Sequence, residues 1–118
     1  MFTIDAHLDL AMNAMEWNRD LRKSVLQIRE LEVGMHDKPD RCNGTVAFPE
    51  LRKGNIGLVV ATQIARVETP GTGIKGWHSP EQAWAQTQGQ LAYYKALETL
   101  GELSPIRNWE ELQTHVEY

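Results

Sequence analysis

Apolar and polar residues alternate at the start of the chain. Phe2, Ile4, Ala6, Leu8 and Leu10 hold one parity, and Asp5, His7 and Asp9 hold the other. That two-residue period predicts a strand from Phe2 to Leu10 with two different faces. Between Leu21 and Leu31 the period changes: Leu21, Val25, Ile28 and Leu31 are spaced by four, three and three, with Arg22, Lys23, Arg29 and Glu30 on the other side. This is the stripe of an amphipathic helix, and Gly34 follows at a plausible C-cap. Breaker-rich loop runs through Asp37-Lys38-Pro39-Asp40 and Asn43-Gly44, and Phe48 to Gly54, with proline near its start and glycine at its end, predicts a short helix.

Ile56 to Ala65 is apolar on both parities and rich in β-branched residues, the pattern of a parallel core strand covered on both faces. After loop at Thr69 to Gly76, Ser79-Pro80-Glu81-Gln82 reads as an N-cap, a proline at the first helical position and a capping-box glutamine. The helix so opened runs to about Leu100, stopped by Gly101, with Trp84, Leu91, Tyr94, Leu97 and Leu100 as its packing stripe. Asn108-Trp109-Glu110-Glu111 repeats the capping pattern and opens a last helix through Val116. Strands alternating with helices predict an α/β fold with right-handed crossovers. Two strands alone leave unpaired edges and call for neighbours.

Composition narrows the function classes. Net charge is −4 over 118 residues, against a dedicated nucleic-acid binder, which is normally basic. The apolar run that takes in Gly57 to Ala61 is far short of the roughly 20 residues of a transmembrane helix, and mean hydropathy is −0.45. No membrane segment is expected. The opening residues carry no basic region and reach an acid at Asp5, unlike a secretory signal, so a cytoplasmic location is expected. The single cysteine, Cys42, excludes an internal disulfide and a Cys-x-x-Cys zinc site, so any metal must use histidine and carboxylates.

The sharpest local feature is Asp5-x-His7-x-Asp9. Side chains two apart share a strand face, so His7 and Asp9 converge beyond the strand end. One imidazole nitrogen and one carboxylate oxygen suit zinc or a similar divalent ion. Asp5, one step deeper, would orient a ligand rather than bind metal. The competing interpretation is an ordinary solvated pair, since a catalytic zinc takes three protein ligands and the motif supplies two. Against it stands the clustering of three ionisable groups on one face of an otherwise apolar strand, because unpaired charge is costly to bury. At the C-terminal mouth of a barrel such a face looks into the active site.

Other motifs carry less. Gly71-x-Gly73-x-x-Gly76 has dinucleotide-fingerprint spacing, but Val67 to Pro70 separates it from the strand and the helix starts only after Ser79, so it reads as a loop. Trp84, Leu91 and Tyr94 at helical spacing read as core packing. His36, His78 and His115 have no partner at ligand spacing and read as surface histidines. Cys42 has no adjacent histidine and suggests no nucleophile.

Ile4-Asp5-Ala6-His7-Leu8-Asp9, Glu16-Trp17-Asn18-Arg19-Asp20 and Thr45 through Gly57, followed by Gln86, Gln90 and Tyr94 and by Ile106-Arg107-Asn108, together resemble the membrane dipeptidase (renal dipeptidase) family, its bacterial members above all. The resemblance covers essentially the whole chain. It implies the incomplete N-terminal portion of a (β/α)8 TIM-type barrel of the amidohydrolase kind, with two core parallel strands plus helices. It further implies zinc-dependent hydrolysis of dipeptides with two metal ions, His7 and Asp9 matching the first-strand metal ligands. A bridging glutamate and two further histidines would come from later strands, and a metal-held hydroxide would attack the peptide carbonyl. Ala6 stands where the family commonly has glycine, and Leu8 where it has a small or polar residue. Neither is a ligand.

Such a barrel takes about 250 residues. Residues 1–118 are therefore expected to be an N-terminal fragment, truncated or proteolysed, with no catalytic residue of its own and at most a partial zinc site, inactive alone and forming a homo-oligomer. The rival expectation is a non-catalytic α/β fragment that self-associates through open strand edges without metal. A deaminase of the same barrel class would show His-x-His where Asp9 stands, which argues against that reading.

Overall fold

A computed structural model describes residues 1–117. The chain is α/β, with β1 (Thr3–Leu8), α1 (Leu10–Met15), α2 (Val25–Leu31), α3 (Phe48–Lys53), β2 (Ile56–Ala61), α4 (Pro80–Thr99) and α5 (Trp109–Glu117) in order. β1 and β2 pair in parallel, with Thr3 opposite Ile56, Ile4 opposite Leu58, Asp5 opposite Val59 and Leu8 opposite Ala61. The register shifts within β1, between Thr3 and Ile4 and again between Asp5 and Leu8. The residues between the strands include α2 and α3, as a parallel crossover requires.

The predicted first strand is too long at its end. Leu10 begins α1, because Leu10 and Ala11 bury against α4, and a helix brings both inward where a strand would send them to opposite faces. The second helix starts later than its apolar stripe suggests. Ser24 caps it, accepting from the Gln27 N–H while the Gln27 side chain accepts from the Ser24 N–H, a reciprocal capping box. Leu21 stays buried as loop, its carbonyl accepting from the Phe48 N–H at 2.8 Å. β2 ends at Ala61, four residues before the predicted limit, because the Gln90 side chain takes over the role of a neighbouring strand. It accepts from the Ile64 N–H at 2.7 Å and donates to the Ile64 carbonyl at 2.6 Å.

α4 is the spine of the fold. Ser79 accepts from the Gln82 N–H at 3.2 Å, and Pro80 opens the helix. At the far end the Glu102 N–H reaches the Leu97 carbonyl and the Gly101 N–H the Glu98 carbonyl, both at 3.0 Å, with Gly101 at φ 76°. These are the two bonds of a Schellman stop, whose left-handed residue favours glycine. Its buried face is Ala83, Gln90, Tyr94 and Leu97. That face is rotated from the expected stripe, so Trp84 is 67% exposed and Leu100 is exposed as well; Trp84 lies one residue, about 100°, from Ala83.

The core joins Leu10, Ala11, Leu21, Ile28, Ala47, Phe48, Tyr94 and Leu97, with Leu8, Leu51 and Val59 packed against it. β2 is not covered on both faces as expected: Val60 and Ala61 are exposed. The sheet has two strands among the described residues, so each strand also has one unpaired edge.

Candidate functional site: a histidine and aspartate pair at the end of the first strand

β1 delivers His7 to its C-terminal end, and the turn into α1 places Asp9 beside it, His7 Nε2 lying 3.2 Å from Asp9 Oδ1. His7 is 73% exposed in its side chain and Asp9 36%, so both donor atoms meet at an open surface. Two donors on one tetrahedral zinc at about 2.0–2.2 Å stand roughly 3.4 Å apart. The 3.2 Å contact is itself an ordinary imidazole–carboxylate ion-pair distance, and it lies close to the spacing of two ligands on one such ion. The fit is that of half a site: among the described residues no group of three or more His, Cys, Asp or Glu side chains could hold a metal ion.

Asp5 is near the pair but acts through the main chain. Its Oδ1 accepts from the His7 N–H at 2.9 Å, fixing the backbone that carries His7 and leaving the imidazole untouched. Sequence reasoning missed Thr62, the first residue after β2. Its hydroxyl bonds Asp9 Oδ1, and its N–H donates to the Leu8 carbonyl at 3.2 Å. A polar residue just past an otherwise apolar strand was the available signal.

A cleft of about 760 Å³ opens between α1, the loop after β2 and α4. Met12, Trp17, Ile64 and Trp77 supply its apolar lining, and Arg66 and Lys75 are among its charged residues. It begins three residues along the chain from Asp9 and two from Thr62. Trp17 is held at both ends: Nε1 donates to Asp40 Oδ1 at 3.0 Å, and its carbonyl accepts from Arg41 at 2.7 Å. The Lys38 ammonium lies 4.9 Å from the centre of its ring, a cation–π distance.

Behind this loop sits a buried ion network. Arg19 donates two bonds to Glu32, at 2.9 and 3.2 Å, and a third to Asn13 at 2.7 Å. Arg41 reaches the same carboxylate at 2.6 Å and also clamps Asp37 through two 2.9 Å bonds. Burial pushes the Glu32 carboxyl up, but the hydrogen bonds and charges of Arg41 and Arg19 outweigh it and hold it below the usual glutamate range.

The remaining histidines divide. His36 is exposed, and His78 lies at the surface 3.3 Å from Glu68 Oε2. His115 is not a free surface residue: it is half-buried, its Nε2 2.6 Å from the Gly57 carbonyl and its ring edge-on to Phe2. The glycine-rich loop builds no phosphate cradle. Val67 and Trp77 form a parallel bridge across it, and Gly76 is required there because a Cβ would fall 2.6 Å from the Arg66 carbonyl. Cys42 is half-buried with φ 68°.

No protein-family model, curated protein or solved structure matches this chain. No helix among the described residues is long and apolar enough to cross a membrane.

Proposed function

We propose that this chain is the N-terminal portion of a (β/α)8 metallo-dipeptidase barrel and supplies, through His7 and Asp9, the first-strand ligands of a zinc centre. The observation that carries the reading is the 3.2 Å approach of His7 Nε2 to Asp9 Oδ1 at the C-terminal end of a parallel strand, the end at which barrel enzymes hold their chemistry. Zinc bound there would supply a water of lowered pKa and polarise a carbonyl. His7 and Asp9 hold it, Asp5 fixes the backbone beneath His7, and Thr62 orients Asp9. The cleft of about 760 Å³ is within the range of small-molecule sites. Its mixture of apolar walls and cationic groups suits a dipeptide with an apolar side chain and a terminal carboxylate. With two ligands of the three that a catalytic zinc takes, residues 1–118 bind zinc weakly and hydrolyse no dipeptide alone.

Zinc affinity, measured by competition with a chromophoric chelator, tests this. Wild-type chain is expected to bind one equivalent weakly, and His7→Ala and Asp9→Asn to lose it. Equal binding by all three proteins, or none by wild type, overturns the reading.

A second reading is a non-catalytic α/β unit that self-associates through its sheet. It is favoured by the exposure of Ile4 and Val60, 57% and 56%, on a sheet whose two outer edges are unpaired among the described residues. It predicts an oligomer indifferent to chelators.

A further inference from the structure

We infer that Tyr94 is a positioning residue for Asp9, standing in as the cap of α1 so that the Asp9 carboxylate faces His7 instead of the helix. The inference rests on the proposed zinc reading for its purpose, though its geometry stands independently. Asp9 occupies the N-cap of α1, with φ −84° and ψ 58°, yet its side chain makes no cap bond. An aspartate in that position ordinarily turns its carboxylate onto the N–H of the second or third helical residue. Here the first of those groups, the Ala11 N–H, donates to the Tyr94 hydroxyl at 3.1 Å.

That hydroxyl is used in both its capacities. It accepts from Ala11 and donates to the Thr62 carbonyl at 2.6 Å, which matches the one donor and two lone pairs of a phenol. Tyr94 reaches this point from α4, 83 residues along the chain from Ala11, and is itself buried. By tying α1 to the residue after β2, it sets Thr62 where its own hydroxyl meets Asp9 Oδ1. The Thr62 hydroxyl and His7 Nε2 then both meet the Asp9 carboxylate at the same oxygen, Oδ1. The Asp9 main chain is held separately, its carbonyl accepting from Asn13 Nδ2 at 2.8 Å.

Removing the phenol oxygen leaves the Ala11 N–H buried without an acceptor, which is unfavourable. The nearest remedy is the Asp9 carboxylate, which caps the helix by turning away from His7. Tyr94→Phe is therefore expected to move the Asp9 side chain to a second rotamer, read from its Hα–Hβ three-bond couplings in the folded, metal-free chain. It should also weaken zinc binding on the order of 10- to 100-fold, as loss of groups that orient metal ligands does. Thr62→Val should average the Asp9 couplings and weaken zinc likewise, and Thr62→Ser, which keeps the hydroxyl, should restore both. Unchanged couplings in folded Tyr94→Phe overturn the inference, whatever Thr62→Val shows. If wild type binds no zinc, the dipeptidase reading falls, and the couplings alone decide the role of Tyr94. If Tyr94→Phe does not fold, the Thr62 pair decides it.

Discussion

Two guanidinium groups enclosing one carboxylate decide how the loop after α1 is held. Glu32 is 3% exposed and Arg19 5%, so neither charge is screened by water and each depends on the other. Removing one member of such a set leaves an uncompensated buried charge and costs about 3–5 kcal/mol. Glu32→Gln is expected to lower the urea-unfolding free energy by that order at pH 7. Its pH dependence has a definite sign. The folded pKa of Glu32 is lowered by Arg41 and Arg19 against the push of burial, so the stabilisation is present above the unfolded value of about 4.3 and is lost as pH falls through the lower folded value. Urea midpoints taken from neutral to acid pH should fall less steeply in Glu32→Gln than in wild type. Little of this network was legible in the sequence, because Arg19, Glu32 and Arg41 sit at no shared period and meet only once the loop closes. His7 and Asp9 were legible for the opposite reason: two residues apart at a strand end, they are neighbours in the chain, and only the tertiary contacts of Thr62 and Tyr94 that aim the Asp9 carboxylate lay beyond the sequence.

At the scale of elements, local chemistry was readable and helix rotation was not. Ser79 with Pro80, Asn108 and Gly101 bound their helices as their side chains and backbone freedom dictate; Asn108 Oδ1 accepts from the Glu111 N–H at 2.8 Å. The face that α4 buries depends on what it meets. A fully buried Gln90 and a Tyr94 hydroxyl, both satisfying main-chain groups near β2, turn the helix so that Trp84 looks outward. A hydrophobicity pattern reads Gln90 as polar and Trp84 as core, and so reverses them. The rotation has a direct consequence for stability. Trp84→Ala should change the unfolding free energy by no more than about 0.5 kcal/mol, as at an exposed site. Leu97→Ala, buried at 3% exposure, should cost about 2–5 kcal/mol. Equal losses in chemical denaturation would contradict the observed helix face. α1 escaped prediction because six residues give too short a period, and it forms only because α4 receives it.

The molecule as a whole exposes more surface than its mass calls for. Its accessible area is 8242 Å², about 1,700 Å² above the roughly 6,500 Å² of a compact chain of that mass. The radius of gyration, 16.0 Å, likewise exceeds the roughly 13.5 Å expected for that length. The excess on this one chain is about twice the roughly 800 Å² that a standard interface buries per partner, and Leu26, Trp109, Ile4 and Val60 are among its exposed apolar residues. Light scattering should therefore show a mass that rises with concentration, and Val60→Lys should lower it, because an exposed charge on a sheet opposes strand association. A concentration-independent monomer in both proteins would mean that these surfaces stay solvated. Both proposed readings call for partner surface; the metal separates them. The most direct test follows the ring nitrogens of all four histidines by NMR during zinc titration of the full chain. The account predicts that His7 Nε2 shifts, with the Asp9 carboxyl carbon moving in step, while His36, His78 and His115 stay still. Zinc-induced shifts confined to those three histidines, or none at His7, would contradict it.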